Sequence, residues 1–286
     1  MEADSLAGRI TGALARYAEE RSTIEPALYR ENLITRVIGA LARSIGRRVV
    51  FSPGANLTGA QLVGIDWEGA NLEGAILARA NLSHAQLAGA NLSGANLSNA
   101  DLSHAYLVVA DLTGAILAQA DLRHAQLAHA RLLRADLNGA NLTNVQLNHV
   151  NLTGKDLAGA DLRGANLIYS SLDGADLTGA NLTDADLYGA GFTGAKLIRA
   201  TLRDADLSRK GAFGMVFDPT DLTGADLTDA DLTGAKLGGV LWSNQTIWPR
   251  ELAAQIRADS NEIAPGEYQI RDDFEEDAAG LIKSGK

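Results

Sequence analysis

Carboxylates and imidazoles are the side chains of this sequence whose spacing invites a chemical reading. Asp101 and Asp121 stand twenty residues apart, and Asn141 and Asp161 continue the series. Asp136, Asp156 and Asp176 form a second series, and Asp186 and Asp206 a third, which Asp226 extends if the phase holds. All five histidines follow the same spacing, as His84, His104 and His124 and then His129 and His149. If residues twenty apart are neighbours in space, the aspartates become stacked carboxylates about 5 Å apart, which repel one another. Such a column offers a negative potential to a basic groove on a partner. It is equally accounted for by aspartate alternating with asparagine as a good turn residue. The histidine columns read either as a pH-sensitive charge ladder or as ordinary polar surface. A zinc site needs three or four ligands converging on one point, whereas a straight column diverges into solvent, so no metal is expected.

The other routes to chemistry are closed one by one. With no cysteine there is no thiolate metal site, no cysteine nucleophile and no disulfide framework. The sequence holds no Gly-rich phosphate loop leading into a helix and no Gly-x-Ser-x-Gly elbow. Paired carboxylates are plentiful, but general acid–base work needs a cleft that shifts their pKa values. The expectation is a non-enzyme with no cofactor and no small-molecule substrate.

The elements that hold these residues follow from a repeat. From Ala55 to Asn244 the chain falls into five-residue units such as Ala55-Asn56-Leu57-Thr58-Gly59. Taking the leucine as the centre, there are 38 centres from Leu57 to Trp242, and leucine fills 33 of them, the exceptions being Trp67, Phe192, Ala212, Phe217 and Trp242. The position two before the centre is alanine in 29 of the 38. The position just before it is mostly Asp, Asn or Gln. A period of five matches neither a helix nor a flat strand. It suits a short extended side followed by a turn, four sides closing one coil of twenty residues. Leucine and alanine then face inward, and backbone groups pair between coils at the sheet spacing of about 4.8 Å. Glycine two after the centre at Gly74, Gly94, Gly114, Gly154, Gly174 and Gly194, broken only by Arg134, supports the twenty-residue coil. The fold class is therefore an all-β solenoid spanning 55–247. Of 286 residues, 46% are hydrophobic but only 5% aromatic, as small aliphatic layers require. The net charge of −10 belongs mostly to the repeats and the C-terminal stretch.

The Ala-Asp/Asn-Leu pattern resembles the pentapeptide repeat family. That resemblance implies a right-handed quadrilateral β-helix, and it implies dimerisation through the C-terminal end. It also implies DNA mimicry as one function of the family, directed at a type II topoisomerase such as DNA gyrase and protecting it from inhibitors. The mimics have Phe-rich centres with Ser, Thr or Cys at the small position, where this chain has leucine and alanine.

An open coil end must be covered. Residues 1–54 are predicted to be an N-terminal helical cap, with Leu6, Ile10, Leu14 and Tyr17 on one stripe and Leu33, Val37, Ile38 and Leu41 on another. Arg30, Arg36, Arg43, Arg47 and Arg48 mark its far face. Residues 248–286 are predicted to be a short capping helix over Pro249–Asp259 and a flexible acidic tail. The segment Lys210–Pro219 breaks the repeat, either as two distorted units or as a ten-residue loop exposing Phe213, Met215 and Phe217 as a contact tip. With no apolar run approaching twenty residues and no signal-like start, a cytoplasmic location without membrane insertion is expected.

Three functions follow. The first is a non-catalytic interaction protein that binds a protein partner, such as a DNA-binding protein, through its acidic surface. The second is the gyrase mimic. The third is membrane or nucleic-acid attachment through the Arg-bearing N-terminal helices.

Overall fold

The computed structural model describes residues 54–209, 218–272 and 274. Two compact units divide the chain, Met1–Ala140 and Asn141–Lys286. The predicted N-terminal cap and its arginines lie outside the described residues.

A five-residue unit with Asn or Asp before its centre can satisfy all its own backbone donors. In Asn91–Ala95, the Asn91 N–H donates to Ala70 O one coil before, and the Leu92 and Gly94 N–H groups donate to Asp111 O and Thr113 O one coil after. The Ala95 N–H closes the turn on Leu92 O at 3.0 Å. That leaves the Ser93 N–H, which donates to the Asn91 side-chain oxygen at 3.0 Å. Five donors thus have five acceptors, as buried backbone demands. Each side of the coil contributes a single parallel bridge rather than a long strand. The third residue of the turn is left-handed throughout, at φ 63° for Gly94 and 59° for His84. Glycine suits that position because it carries no Cβ penalty.

In the first unit the bridges run from Asn56↔Ile76 to Ile116↔Asp136, always twenty residues apart. Four sides therefore make each coil, identified by their outward residues: Ile76–Asn96–Ile116, Asn81–Asp101–Asp121, Gln86–Tyr106–Gln126 and Asn91–Asp111–Arg131. The core is the pile of inward side chains, with Leu92, Leu97, Ala100 and Leu102 at 0–1% exposure and Trp67 at 0%.

The second unit repeats this plan from Asn141↔Asp161 onward, with Phe192 fully buried at a centre. Its register then changes. Gly191, Lys196, Thr201 and Asp206 pair with Asp221, Asp226, Asp231 and Lys236, an offset of thirty, before Asp221↔Leu241 returns to twenty. The register of the later coils is thus the one expected if ten residues between Asp206 and Asp221 are not counted in the coil, rather than two units within it. Phe213, Met215 and Phe217 lie outside the described residues.

The C-terminal end departs from expectation. One further residue enters before Asp226↔Ile247, so Trp248 is a buried centre and Thr246 takes the small position, its hydroxyl donating to Leu222 O at 2.8 Å. Strand β1 (Leu241–Ser243) is followed by helix α1 (Ala253–Ala258), β2 (Ser260–Ala264) and β3 (Glu267–Ile270). The helix is shorter than Pro249–Asp259, and residues expected in the tail form an antiparallel sheet of order β1-β3-β2. Tyr268 stacks on Trp242 at 4.4 Å, and the Arg257 guanidinium lies 4.9 Å from the Tyr268 ring centroid. The hairpin exists because these aromatic faces need cover.

Candidate docking surface

The aspartates of the series stand at the outward position just before each centre, where the side-chain oxygen accepts the N–H two residues on. Asp101 takes the Ser103 N–H at 2.9 Å and its hydroxyl at 2.6 Å. Asp136, Asp156 and Asp176 do the same for Asn138, Ala158 and Thr178. The local role of these carboxylates is therefore fixed by the coil, and asparagine fills it equally well. Asp101 bridges to Asp121 in the first unit, and Asp156 to Asp176 and Asp186 to Asp206 in the second. Asp136 belongs to the first unit and Asp161 to the second. Asp226 does not extend the third series, because the thirty-residue offset puts Lys236 next to Asp206 and pairs Asp226 with Lys196.

Cations interrupt these columns. Arg123 pairs with Asp121 and Arg163 with Asp161, each at 2.6 Å, and Lys196 reaches Asp176 at 3.4 Å. Hydrogen bonds from Arg123 and Arg163 hold Asp121 and Asp161 below the usual carboxylate range. A bond from Thr178, more than Lys196, does so for Asp176.

Asp206 is the buried member of the set, at 6% exposure. Its carboxylate accepts from Lys236 Nζ at 2.6 Å, Tyr188 Oη at 2.7 Å and Ser208 Oγ at 2.6 Å. Burial pushes the group up, but these donors outweigh it and hold it low. Asp186 beside it is raised, by desolvation first and by the Asp206 charge second.

Two acidic features were missed in the sequence. Asp184 and Asp204 occupy left-handed corners at φ 58° and 56°, twenty residues apart, and Asp229 a third such corner. All three are exposed. The twenty-residue spacing of Asp184 and Asp204 is visible in the sequence, but their corner position reads as a glycine slot rather than a charged one.

The histidines occupy left-handed corners, at φ 58–59°. His84, His104 and His124 stack with ring centroids 4.8 and 4.7 Å apart in the first unit. His129 lies in the first unit and His149 in the second, where it stacks on Tyr169 at 5.3 Å. Among the described residues no three acidic or imidazole groups are placed to hold a metal ion. Nor is any described helix long and apolar enough to cross a membrane.

Coils of this construction define a class of solenoid, and the sequence says which. Eight copies of the family described as pentapeptide repeats match within 55–209 and 216–241. The chain belongs to the pentapeptide repeat family, whose fold is the right-handed β-helix. Among solved structures it is similar to HetL, a pentapeptide repeat protein involved in heterocyst differentiation regulation from the cyanobacterium Nostoc sp. strain PCC 7120. The two are 37% identical over 74% of this chain and 95% of that one, with a TM-score of 0.32. It is also similar to QnrB1, a plasmid-mediated fluoroquinolone resistance protein, at 20% identity over 70% and 88% of the two chains and a TM-score of 0.48. A third is a pentapeptide repeat protein of the Arabidopsis thaliana thylakoid lumen, 36% identical over 36% and 69%, with a TM-score of 0.24. No curated protein sequence matches.

Proposed function

We propose that this protein is a non-catalytic docking solenoid that binds a basic surface of a protein partner through carboxylates of its second unit. The supporting observation is the distribution of side chains. Inward positions are taken by leucine and alanine, while Asp156, Asp184, Asp204 and Asp229 are exposed and form no ion pair among the described residues. Exposed unpaired charge steers association and selects partners more than it adds affinity. The duplex-mimic reading is weaker, because Arg163, Lys196, Arg203 and Lys236 pair with aspartates on the same unit and break the run of negative charge. The location proposed is cytoplasmic.

The test is affinity purification of the tagged full chain from its native cells, followed by binding assays with the purified partner. A direct partner that dissociates as salt rises, and that binds Asp184→Lys/Asp204→Lys at least about tenfold more weakly, is expected. A partner indifferent to both changes, or no protein enriched over a control of matched charge, overturns the reading.

A further inference from the structure

Asparagine followed by glycine occurs once in the sequence, at Asn138-Gly139. The pair forms the turn that ends the first unit, where the Ala140 N–H closes on Leu137 O at 2.9 Å. Both residues are exposed, and Gly139 is left-handed at φ 68°. An asparagine side chain can be attacked at Cγ by the backbone nitrogen of the next residue, and glycine offers no Cβ to obstruct the approach. The nitrogen must also be free to lose its proton and to move. A backbone hydrogen bond opposes both.

The coils impose that restraint at every other asparagine of the repeats, where the N–H that follows donates to an oxygen. The Leu92 N–H after Asn91 donates to Asp111 O at 2.7 Å, the Ala100 N–H after Asn99 to Leu97 O at 3.0 Å, and the His149 N–H after Asn148 to Ile168 O at 2.9 Å. The single Asp-Gly pair is held too, since the Gly174 N–H donates to Thr193 O at 2.8 Å. Gly139 differs. Gly94, Gly114 and Gly154 at the same turn position each donate to a carbonyl at 2.8 Å, but among the described residues the Gly139 N–H has no acceptor. The Gln119 side-chain amide also donates to Asn138 O at 3.5 Å. Electron density drawn toward that oxygen eases loss of the proton from the nitrogen of the same peptide.

We propose that Asn138 is a self-modification site, converted by its own backbone to aspartate and isoaspartate. Solvent base removes the Gly139 amide proton, and the nitrogen attacks Asn138 Cγ. The Cγ–Nδ2 bond breaks, and the side-chain nitrogen takes a proton from solvent and leaves as ammonia. The cyclic succinimide that remains is opened by water. Attack at Cγ gives aspartate on the original backbone; attack at the Asn138 carbonyl carbon gives isoaspartate, with the backbone rerouted through Cβ and Cγ. One water is consumed and one ammonia released. Either product adds a negative charge two residues from Asp136, whose carboxylate accepts the Asn138 N–H at 3.0 Å. Isoaspartate also lengthens the turn that keeps Leu137 and Ala140 buried, so the site is a slow timer of charge and stability in that coil.

The test is incubation of the full chain in mildly alkaline buffer, followed by peptide mass spectrometry and labelling with an isoaspartyl methyltransferase. Asn138 should be converted at least about tenfold faster than any other asparagine of the repeats. Asn138→Ser should abolish the label in that peptide, and serine suits the place, as Ser98 and Ser103 show. Gly139→Asn should slow conversion at least about tenfold. Asparagine keeps the left-handed turn, and the flexible Gln119 amide can swing off the new Cβ. Urea releases the held sites, so Asp173-Gly174 should form isoaspartate in the unfolded chain and not in the folded one. Three results each overturn the proposal: Asn138 intact in the folded chain while the unfolded chain reacts there, conversion undiminished by Gly139→Asn, or isoaspartate forming at Asp173 in the folded chain as fast as at Asn138.

Discussion

Asp206 is where a single side chain organises most around it. It takes donors from Lys236, Tyr188 and Ser208. Replacing it with alanine leaves those donors without their acceptor and should cost about 1–3 kcal/mol by denaturant titration. Its folded pKa is depressed, so its contribution is present above the unfolded carboxylate value and is lost as pH falls through the folded value. The stability gap between wild type and Asp206→Asn should accordingly shrink on acidification below the ordinary aspartate range. A gap constant from neutral pH to strong acid would show that the carboxylate charge contributes nothing. Asp186 runs oppositely. Its raised pKa favours the protonated form, so Asp186→Asn should be neutral or slightly stabilising at pH 7 and without effect in acid. Its exposure keeps that effect to a few tenths of a kcal/mol.

The coil and its closing hairpin each make a separate prediction. Leu107 is fully buried at a centre, so Leu107→Ala should cost about 2–5 kcal/mol, the range for an enclosed aliphatic truncation. Gly154 has φ 63° with nothing within 4 Å of an added Cβ. Gly154→Ala should therefore cost about 1 kcal/mol from backbone strain alone, and Gly154→Asn less, since asparagine tolerates the left-handed region. Equal losses for the two would mean that the corner is not the source of the effect. The coil was legible because leucine, alanine and the Asp/Asn position recur every five residues. The hairpin was not. Ser260–Ala264 and Glu267–Ile270 are short and polar, and only the Trp242 ring beneath Tyr268 gives them something to cover.

For the chain as a whole, electrostatics bears on the choice between functional readings. On the reading proposed above, the cations interleaved with the aspartate columns weigh against duplex mimicry. Added at tens of micromolar, an order-of-magnitude ceiling for a specific contact, the protein should neither inhibit gyrase supercoiling nor protect it from a fluoroquinolone. Inhibition or protection that Asp156→Lys and Asp176→Lys abolish would reverse that judgement. Stability should be distributed, each coil resting on its neighbours, so amide exchange in either unit should be slowest at its middle coils and faster at its ends.

The five-residue period by itself determined the coil, its inward leucines and alanines, and the twenty-residue columns, because each of those depends only on neighbours within one turn or one coil. The same period foresaw Asp101 above Asp121 and His84 above His104. Tertiary structure alone decided which charges meet after the register change. Lys236 reaches Asp206, and Arg203 reaches Asp231, only because the pairing offset there is thirty rather than twenty. Nor does a repeat reveal that an outward carboxylate is occupied by the N–H two residues on. Composition records which side chains are present; their partners are set by backbone direction and by the coil stacked above.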